Sequence, residues 1–305
     1  MSSKPAPRAL AAALAVAVSL PLAATPAAAW YTVGHRRVTM AAVRLLPEAV
    51  PAFFRAGGAM VGHLSVDPDF WKARETPALR DRESPEHFID LERLDGFALP
   101  PTRGEYLRLL SSLRREPGEA GALPYAVVEG TERLELCFAE HRRWPDNPYI
   151  REKCLMVAGV LAHYAGDLEQ PLHTTVHHDG WAEPDGRSPA TGFHFLVDPL
   201  FESSPFDAES AVEGVAPRAF PEIWPAVSAE LAAAHGLIDR LYALEPDLAA
   251  PGGIARPAVL DFACERYRAT AAFLASLYLT AWEKSVTVRL PSWLQRESGE
   301  LEPAR

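Results

Sequence analysis

The chain has 305 residues, of which 30 are basic and 40 acidic, so its formal net charge at pH 7 is −10. This balance argues against a protein that holds nucleic acid on a broad basic face, but not against an enzyme that attracts phosphate to a local cationic centre. Its 3 cysteines permit one disulfide at most, for which we predict Cys137 and Cys154, so the fold is not built on a disulfide framework.

Residues 1–29 have the layout of a secretory signal peptide. Lys4 and Arg8 give a basic start, an apolar stretch follows, and an Ala-x-Ala pattern ends the segment. The apolar stretch is interrupted by a proline and is short for a membrane span, which disfavours the alternative of an anchor. We therefore expect cleavage before Trp30 and a secreted or periplasmic protein, monomeric and without a stable membrane anchor.

Apolar residues recur at spacings of three and four through most of the remaining chain, which predicts helices rather than sheet. The first such segment contains Pro47, which breaks or restarts its helix. Helices are predicted over residues 35–54, 105–116, 123–143, 149–167, 221–245 and 257–285. The sequence therefore predicts an all-α fold, with one compact multi-helix domain over residues 30–290 and a polar tail over residues 291–305.

Histidines and aspartates recur in a pattern that suits a metal site. His163 and Asp167 are four residues apart on a predicted helix, so their side chains project from one face, about 6 Å apart at Cβ. His194 and Asp198 repeat this spacing, and a proline ends the first helix so that His173 follows from its end. Neutral imidazole and carboxylate are ligands that zinc accepts.

Further candidate ligands lie upstream. "SPEHFID" contains His87, "WYTVGH" contains His35, and "DPDFWK" offers either Asp67 or Asp69. A histidine with an acid four residues later often arises by chance. The whole set, rather than either pair alone, therefore indicates a metal site.

This ordered set resembles the trinuclear-zinc phosphodiesterases, a family that includes the fungal and plant single-strand-specific nucleases and the bacterial zinc-dependent phospholipases C. The shared signature is a Trp at the processed N-terminus, an early His, an Asp and a His, then His-x3-Asp-x5-His and His-x3-Asp, in that order from Trp30 to Asp198. The C-terminal third matches only in being helical. The resemblance implies the all-α fold of that family, three Zn²⁺ ions as cofactors, and hydrolysis of phosphodiester bonds by a metal-activated hydroxide.

The resemblance also assigns ligands to each ion. One ion would be bound by His87, His163, the upstream aspartate and one oxygen of Asp167. A second would be bound by the other oxygen of Asp167, by His35, and by the α-amino nitrogen and carbonyl oxygen of Trp30. That nitrogen has a free lone pair only after the preceding peptide bond is cut. The third ion would be bound by the residues that end the signature: His173, His194 and Asp198.

For the upstream aspartate we prefer Asp69 to Asp67. Asp69 stands three residues before Lys72, at a place where the nucleases carry a basic residue near the phosphate. Asp69, Asp167 and Lys72 are therefore the expected catalytic residues. Lys72 and Phe88 are the expected contacts to the substrate.

The substrate implied is nucleic acid or phospholipid. Phe88 beside a zinc ligand resembles the nucleases, in which an aromatic ring stacks on a base. Against this, the loop over residues 174–193 lacks the Gly-Gly-Asn expected of a nuclease, and "GFH" resembles the phospholipases. We expect an endonuclease on single-stranded DNA or RNA, slightly ahead of a phospholipase C on phosphatidylcholine-like lipids.

A zinc-binding protein without turnover is the alternative from another class. It is disfavoured because purely structural zinc sites are usually closed by Cys and His.

Overall fold

The structure is a computed structural model and describes residues 30–296. Within this range no β-strand forms, and the only extended pairing consists of isolated bridges. The chain folds into one compact domain of helices joined by short loops, which confirms the predicted all-α class. The predicted leader over residues 1–29 and the tail residues 297–305 lie outside the described residues.

The described residues form a series of α-helices of very unequal length. In chain order they are Thr32–Arg44 (α1), Ala52–Ala56 (α2), Gly58–Leu64 (α3), Asp67–Phe70 (α4), Pro77–Glu83 (α5), Arg103–Leu113 (α6), Pro117–Ala120 (α7), Leu123–Arg143 (α8), Pro148–Leu168 (α9), Phe193–Val197 (α10), Leu200–Ser203 (α11), Ala208–Ala211 (α12), Ile223–His235 (α13), Ile238–Tyr242 (α14), Glu245–Leu248 (α15) and Pro257–Lys284 (α16). Short 3₁₀ helices lie between them at Ser84–His87, Leu91–Leu94, Pro171–Thr174 and Gly253–Ala255.

Helices α8 and α9, of 21 residues each, pack along each other at the centre of the fold, and the 28-residue α16 packs against both. The Asn147 side chain begins α9 by accepting hydrogen bonds from backbone N–H groups of the first turn. The buried hydroxyl of Tyr278 on α16 donates to the carbonyl of Ala158 on α9, at 2.9 Å. A side chain at Gly159 would collide with Leu64, so glycine lets α3 approach α9 closely.

Two apolar clusters share α16. The first surrounds α8 and α9 and includes Leu274 and Tyr278. The second contains Trp30, Phe262 and Tyr267, and is built with the short helices α10 to α12 and α14 to α15. None of the described helices combines the length and the apolarity of a membrane span.

The long predicted helices match the structure closely. The segments predicted over 123–143, 149–167 and 257–285 correspond to α8, α9 and α16. The segment predicted over 221–245 is divided into α13 and α14, because Gly236, a poor helix former, follows His235. The segment over 35–54 is interrupted around Pro47, between α1 and α2.

The predicted disulfide between Cys137 and Cys154 is wrong for this structure. All cysteines are free thiols, although Cys137 on α8 and Cys154 on α9 lie close enough to share a hydrogen bond. That hydrogen bond, together with burial, raises the pKa of Cys154. The same hydrogen bond lowers the pKa of Cys137, so it orders the pair as donor and acceptor, and the two sulfurs are neighbours without a bond.

Candidate metal centre

The last two turns of α9 carry the residues from which the centre is built. His163 and Asp167 lie on the same side of the helix and are fully buried. The helix ends at Leu168, and the 3₁₀ turn that begins at Pro171 places His173 next to them. A helix can bury these polar groups only if other elements supply their partners.

The structure brings eight of the nine predicted ligand residues into three groups by their side chains. In each group the imidazole nitrogens and carboxylate oxygens lie within 4.8 Å of one another, so each could hold a metal ion. Among the described residues the groups are His35–His163–Asp167, Asp69–His87–His163 and His173–His194–Asp198. Asp67, the alternative to Asp69, lines a different pocket.

Asp167 lies between the first two groups. Its Oδ1 is 3.3 Å from Nε2 of His35, and its Oδ2 is 3.0 Å from Nδ1 of His87. Oδ2 also lies 3.4 Å from Nε2 of His163, which belongs to both groups. One carboxylate therefore faces two candidate cation positions with different oxygens.

The third group is set by α10 and by the turn after α9. Nε2 of His194 is 3.2 Å from Nε2 of His173 and 3.1 Å from Oδ1 of Asp198. The amide of Gln170 donates to the same oxygen of Asp198 at 3.1 Å, which fixes the carboxylate. His194 and Asp198 are one helical turn apart, as their spacing predicts.

Backbone carbonyls set which ring nitrogen carries the proton in three of these histidines. A carbonyl oxygen only accepts, so the Nδ1 that faces it carries hydrogen, and in a neutral ring Nε2 is then a bare lone pair. The accepting carbonyls are Ser65 for His163 (2.8 Å), His87 for His173 (2.6 Å) and His178 for His194 (3.0 Å). Three Nε2 lone pairs are thereby aimed into the groups.

The spacings fit a zinc ion. Tetrahedral zinc with bonds of about 2.0–2.1 Å separates neighbouring ligand atoms by roughly 3.3–3.4 Å. The 3.2 Å between the bare nitrogens of His173 and His194 is close to that value, and two lone pairs at this distance repel unless a cation or a proton lies between them. Among the described residues, Oδ1 of Asp167 and both ring nitrogens of His35 are buried without a hydrogen-bond partner. Bound cations would satisfy these atoms.

Trp30 lies against the first group, although its side chain is not a ligand. Its indole Nε1 donates to the carbonyl of Gly166 at 3.0 Å, and its ring stacks on Phe201 with centroids 3.7 Å apart. A side chain at Gly166 would press on the ring of His35, so glycine is needed here. The ring of Trp30 is thus anchored to Gly166, the residue that precedes Asp167.

The protonation states of the first two groups suit metal binding. Burial alone raises the pKa of Asp167, but the imidazoles of His163, His35 and His87 outweigh it and hold the pKa well below its ordinary value. The pKa of Asp69 is about 2, because His163 and the Lys72 ammonium outweigh the effect of burial. Burial lowers the pKa of His163 to about 3. Carboxylates are therefore ionised and this imidazole is neutral near pH 7, as metal ligands must be.

The third group titrates differently. Burial lowers the pKa of His173 to about 3. The pKa of His194 is raised, because the Asp198 carboxylate outweighs the effect of burial. The pKa of Asp198 is itself raised, mainly by burial. Without a metal ion, His194 and Asp198 would therefore hold a proton between them, which a bound cation would displace.

A cleft of about 430 Å³ opens onto the centre. Its lining includes the expected substrate contacts Lys72 and Phe88 together with His87 of the second group. Nζ of Lys72 lies 2.7 Å from Oδ1 of Asp69 and 3.4 Å from Nδ1 of His87. The lysine charge therefore lies at the edge of the metal groups, facing the cleft.

Several residues of the site were not found from the sequence. Gln170, which orients Asp198, lies inside the quoted His-x3-Asp-x5-His motif, so its position was a usable signal. The carbonyls of Ser65 and His178 gave no signal, because any residue type can supply a carbonyl. Asp90 and its partner Arg93 also line the cleft, and burial raises the pKa of Asp90 to about 7 although Arg93 opposes the shift.

No protein-family model and no curated protein sequence matches this chain at a significant level. The family resemblance therefore rests on the ordered motif alone. The geometry of the three groups is independent of it.

Proposed function

We propose that this protein is a secreted zinc-dependent phosphodiesterase, and that its substrate is single-stranded nucleic acid. The observation that carries the proposal is the position of Asp167, whose two oxygens face two candidate cation positions. A third group lies beside them, and His87 of the second group lines one cleft with His173 and His194 of the third. Adjacent cation positions around a shared carboxylate are the arrangement used to cleave phosphate esters.

Zinc fits the donor atoms better than the hard cations do. Magnesium and calcium prefer all-oxygen ligands, whereas each group here contains imidazole nitrogen. Three Zn²⁺ ions with the three carboxylates Asp69, Asp167 and Asp198 would leave a local charge of about +3. At short range such a centre outweighs the chain's net charge of −10 and attracts phosphate.

The chain's own residues hold and orient the reacting groups. Zinc bound here would supply an activated water at neutral pH and would neutralise charge on the phosphate oxygens. Lys72 lines the cleft next to Asp69, so its ammonium is placed to bind a phosphate oxygen. Gln170 and the backbone carbonyls keep their ligands in one orientation, which avoids reorganisation during the reaction.

Phe88 supports a nuclease. Its side chain lines the cleft and is only partly buried, so one face of the ring is available to a base. The phospholipase C alternative rests on the motif "GFH" and on the loop over residues 174–193. A zinc-binding protein without turnover remains the alternative of another class. The open cleft argues against it, because structural zinc sites are closed.

The free α-amine of Trp30 is proposed as a further ligand to the ion beside His35. The indole contacts described above support this, because they hold Trp30 next to the first group. If cleavage before Trp30 creates the amine, export and completion of the site are one event.

The proposal is tested by hydrolysis of bis(4-nitrophenyl) phosphate by protein that begins at Trp30. We expect activity that a chelator abolishes and added zinc restores. Single-stranded DNA, RNA and phosphatidylcholine micelles are then compared at equal enzyme concentration. No hydrolysis of any ester by the zinc-loaded protein would overturn the enzyme, and preference for the micelles would overturn the nuclease.

A further inference from the structure

The cleft carries more positive charge than the metal groups and one phosphate require. Lys72, Arg80 and Arg93 line the same cavity as the metal-group histidines. The acids that line it are Asp90 and the exposed Glu119. In a chain with a net charge of −10, three cations around one cleft indicate a ligand with more than one negative charge.

Two of these cations already have partners. Lys72 pairs with Asp69 at 2.7 Å and so belongs to the phosphate that reacts at the metals. Arg93 pairs with Asp90 at 3.3 Å and also donates to the carbonyl of Gly186 at 3.1 Å, which ties the cleft wall to the loop that follows α9. Lys72 is therefore assigned to the reacting phosphate, and Arg93 to the structure of the cleft wall.

Arg80 is different. It lies on α5, is half-buried, and its backbone N–H is bound to the carbonyl of Thr76 at 2.9 Å. Its side chain makes no ion pair and no hydrogen bond to any residue in the described range 30–296. It therefore has no hydrogen bond or ion pair with a residue of the metal groups, in contrast to Lys72. A partly desolvated guanidinium with its donors free is a strong site for a phosphate oxygen pair.

We propose that Arg80 binds a second phosphate of the substrate, next to the one that is hydrolysed. This inference rests on the proposed function and narrows its substrate to a polyanion with successive phosphodiesters, that is, a nucleic acid strand of at least two linkages. A choline head group would bring a fixed positive charge into a cleft that already contains an unpaired guanidinium. Like charges within one cleft repel each other, so Arg80 selects against such lipids as well as for nucleic acid.

The cleft volume is consistent with this reading. At about 430 Å³ it exceeds the space that one phosphate group needs and falls within the range of sites for drug-sized ligands. Phe88 lines the same cavity, so a base can stack there while phosphates contact Lys72 and Arg80.

The test measures binding rather than turnover. The probe is a thymidine trimer in which methylene groups replace both bridging oxygens of each phosphate, so that it keeps two charges and has no backbone ester to hydrolyse. Two further probes are the isomers in which one of the two phosphinates is neutralised as its methyl ester. Calorimetry on the zinc-loaded full protein at physiological salt gives the ratio of the Kd of each isomer to the Kd of the doubly charged trimer, the dianion.

We expect the wild-type protein to bind the dianion about tenfold more tightly than one of the isomers, since a charge-assisted bidentate contact contributes on this scale. Arg80→Ala should abolish that preference and leave binding of that isomer within about twofold. Arg80→Lys should restore part of it. Arg108→Ala on α6 is the matched control, because it removes one exposed positive charge that lines none of the pockets described above.

Equal losses for Arg80→Ala and Arg108→Ala, or equal losses for the dianion and the isomers, would overturn the second phosphate site. So would a wild-type protein that binds none of the probes. Hydrolysis of bis(4-nitrophenyl) phosphate is measured in parallel. If the protein shows the Arg80-dependent preference but no hydrolysis, the proposed enzyme activity is refuted and the second phosphate site is retained. If it hydrolyses the ester but shows no preference, the second phosphate site is refuted and the enzyme activity is retained.

Discussion

Replacing Asp167 with asparagine tests the shared carboxylate directly. The side chain is fully buried, and its two oxygens lie 3.3 Å from Nε2 of His35 and 3.0 Å from Nδ1 of His87. An amide keeps the shape but loses the charge, and it replaces one oxygen with an NH₂ group that cannot bind a cation. Asp167→Asn therefore removes a ligand from the first group and the charge that faces the second, and it leaves the third group intact.

The size of the effect follows from Coulomb's law. With half of the carboxylate charge on each oxygen, an oxygen about 2 Å from a divalent ion contributes roughly 8 kcal/mol per ion at an effective dielectric constant of about 20. The remaining amide oxygen and solvent recover part of this energy. A loss of several kcal/mol is left, which weakens binding at least about 10³-fold. We expect Asp167→Asn to retain about one of three zinc ions and to lose at least about 10³-fold in activity.

Zinc content after dialysis is measured by mass spectrometry, and activity is measured on bis(4-nitrophenyl) phosphate. Asp90→Asn is the matched control for metal content, because Asp90 is also a buried carboxylate of the cleft but lies outside the three groups. It should keep three ions. Full zinc content in Asp167→Asn would refute the shared ligand, and equal metal loss in both variants would show that the effect is not specific to Asp167.

Three other changes test separate parts of the account. In metal-free protein, each of His163 and His173 should lower the free energy of unfolding, from urea titrations, by about 1.4 kcal/mol per pH unit between about pH 6 and pH 4, measured as the difference from a variant with glutamine at both positions. Their pKa is lowered to about 3 in the fold, whereas the unfolded chain binds these protons near pH 6.5. Phe88→Ala should raise KM for single-stranded DNA by about tenfold and leave bis(4-nitrophenyl) phosphate nearly unchanged, because only the nucleic acid can stack a base. Adding one residue before Trp30 should remove one zinc ion and most activity without changing the circular dichroism spectrum.

Each of these has a contrary result. A pH dependence that is unchanged when both histidines are replaced with glutamine would mean that they are not held neutral by the fold. The raised pKa values of Asp90 and Asp198 oppose the histidine slope over this range, so the difference between the two proteins is compared and not the total slope. Equal effects of Phe88→Ala on both substrates would exclude base stacking. An extended protein with full zinc content would exclude the amine of Trp30 as a ligand.

The long helices could be predicted because residues that begin or end helices lie at their boundaries. Asn147 and Pro148 mark the start of α9, and Pro171 follows its end. The short helices α2 to α5 and α10 to α12 could not be predicted, since segments of four to seven residues are stabilised by packing and not by their own periodicity. The disulfide prediction placed the correct cysteines together, but adjacency alone does not oxidise them.

The metal groups could be anticipated as residue types but not as geometry. The four-residue spacings fixed which side chains share a face of α9 and of α10. Residue spacing alone did not require His35 from α1 and His87 from a 3₁₀ turn to meet on opposite sides of one carboxylate, and only the family resemblance predicted it. The role of Arg80 could not be predicted either, because it depends on the side chain lining the cleft without a partner, and the sequence of the short helix α5 does not show this.

Anomalous diffraction at the zinc edge from crystals of protein beginning at Trp30 tests the central claim most directly. We predict three peaks: one between His35 and Asp167, one among Asp69, His87 and His163, and one among His173, His194 and Asp198. A well-ordered, fully folded protein grown with zinc that shows no peak at these groups would contradict it.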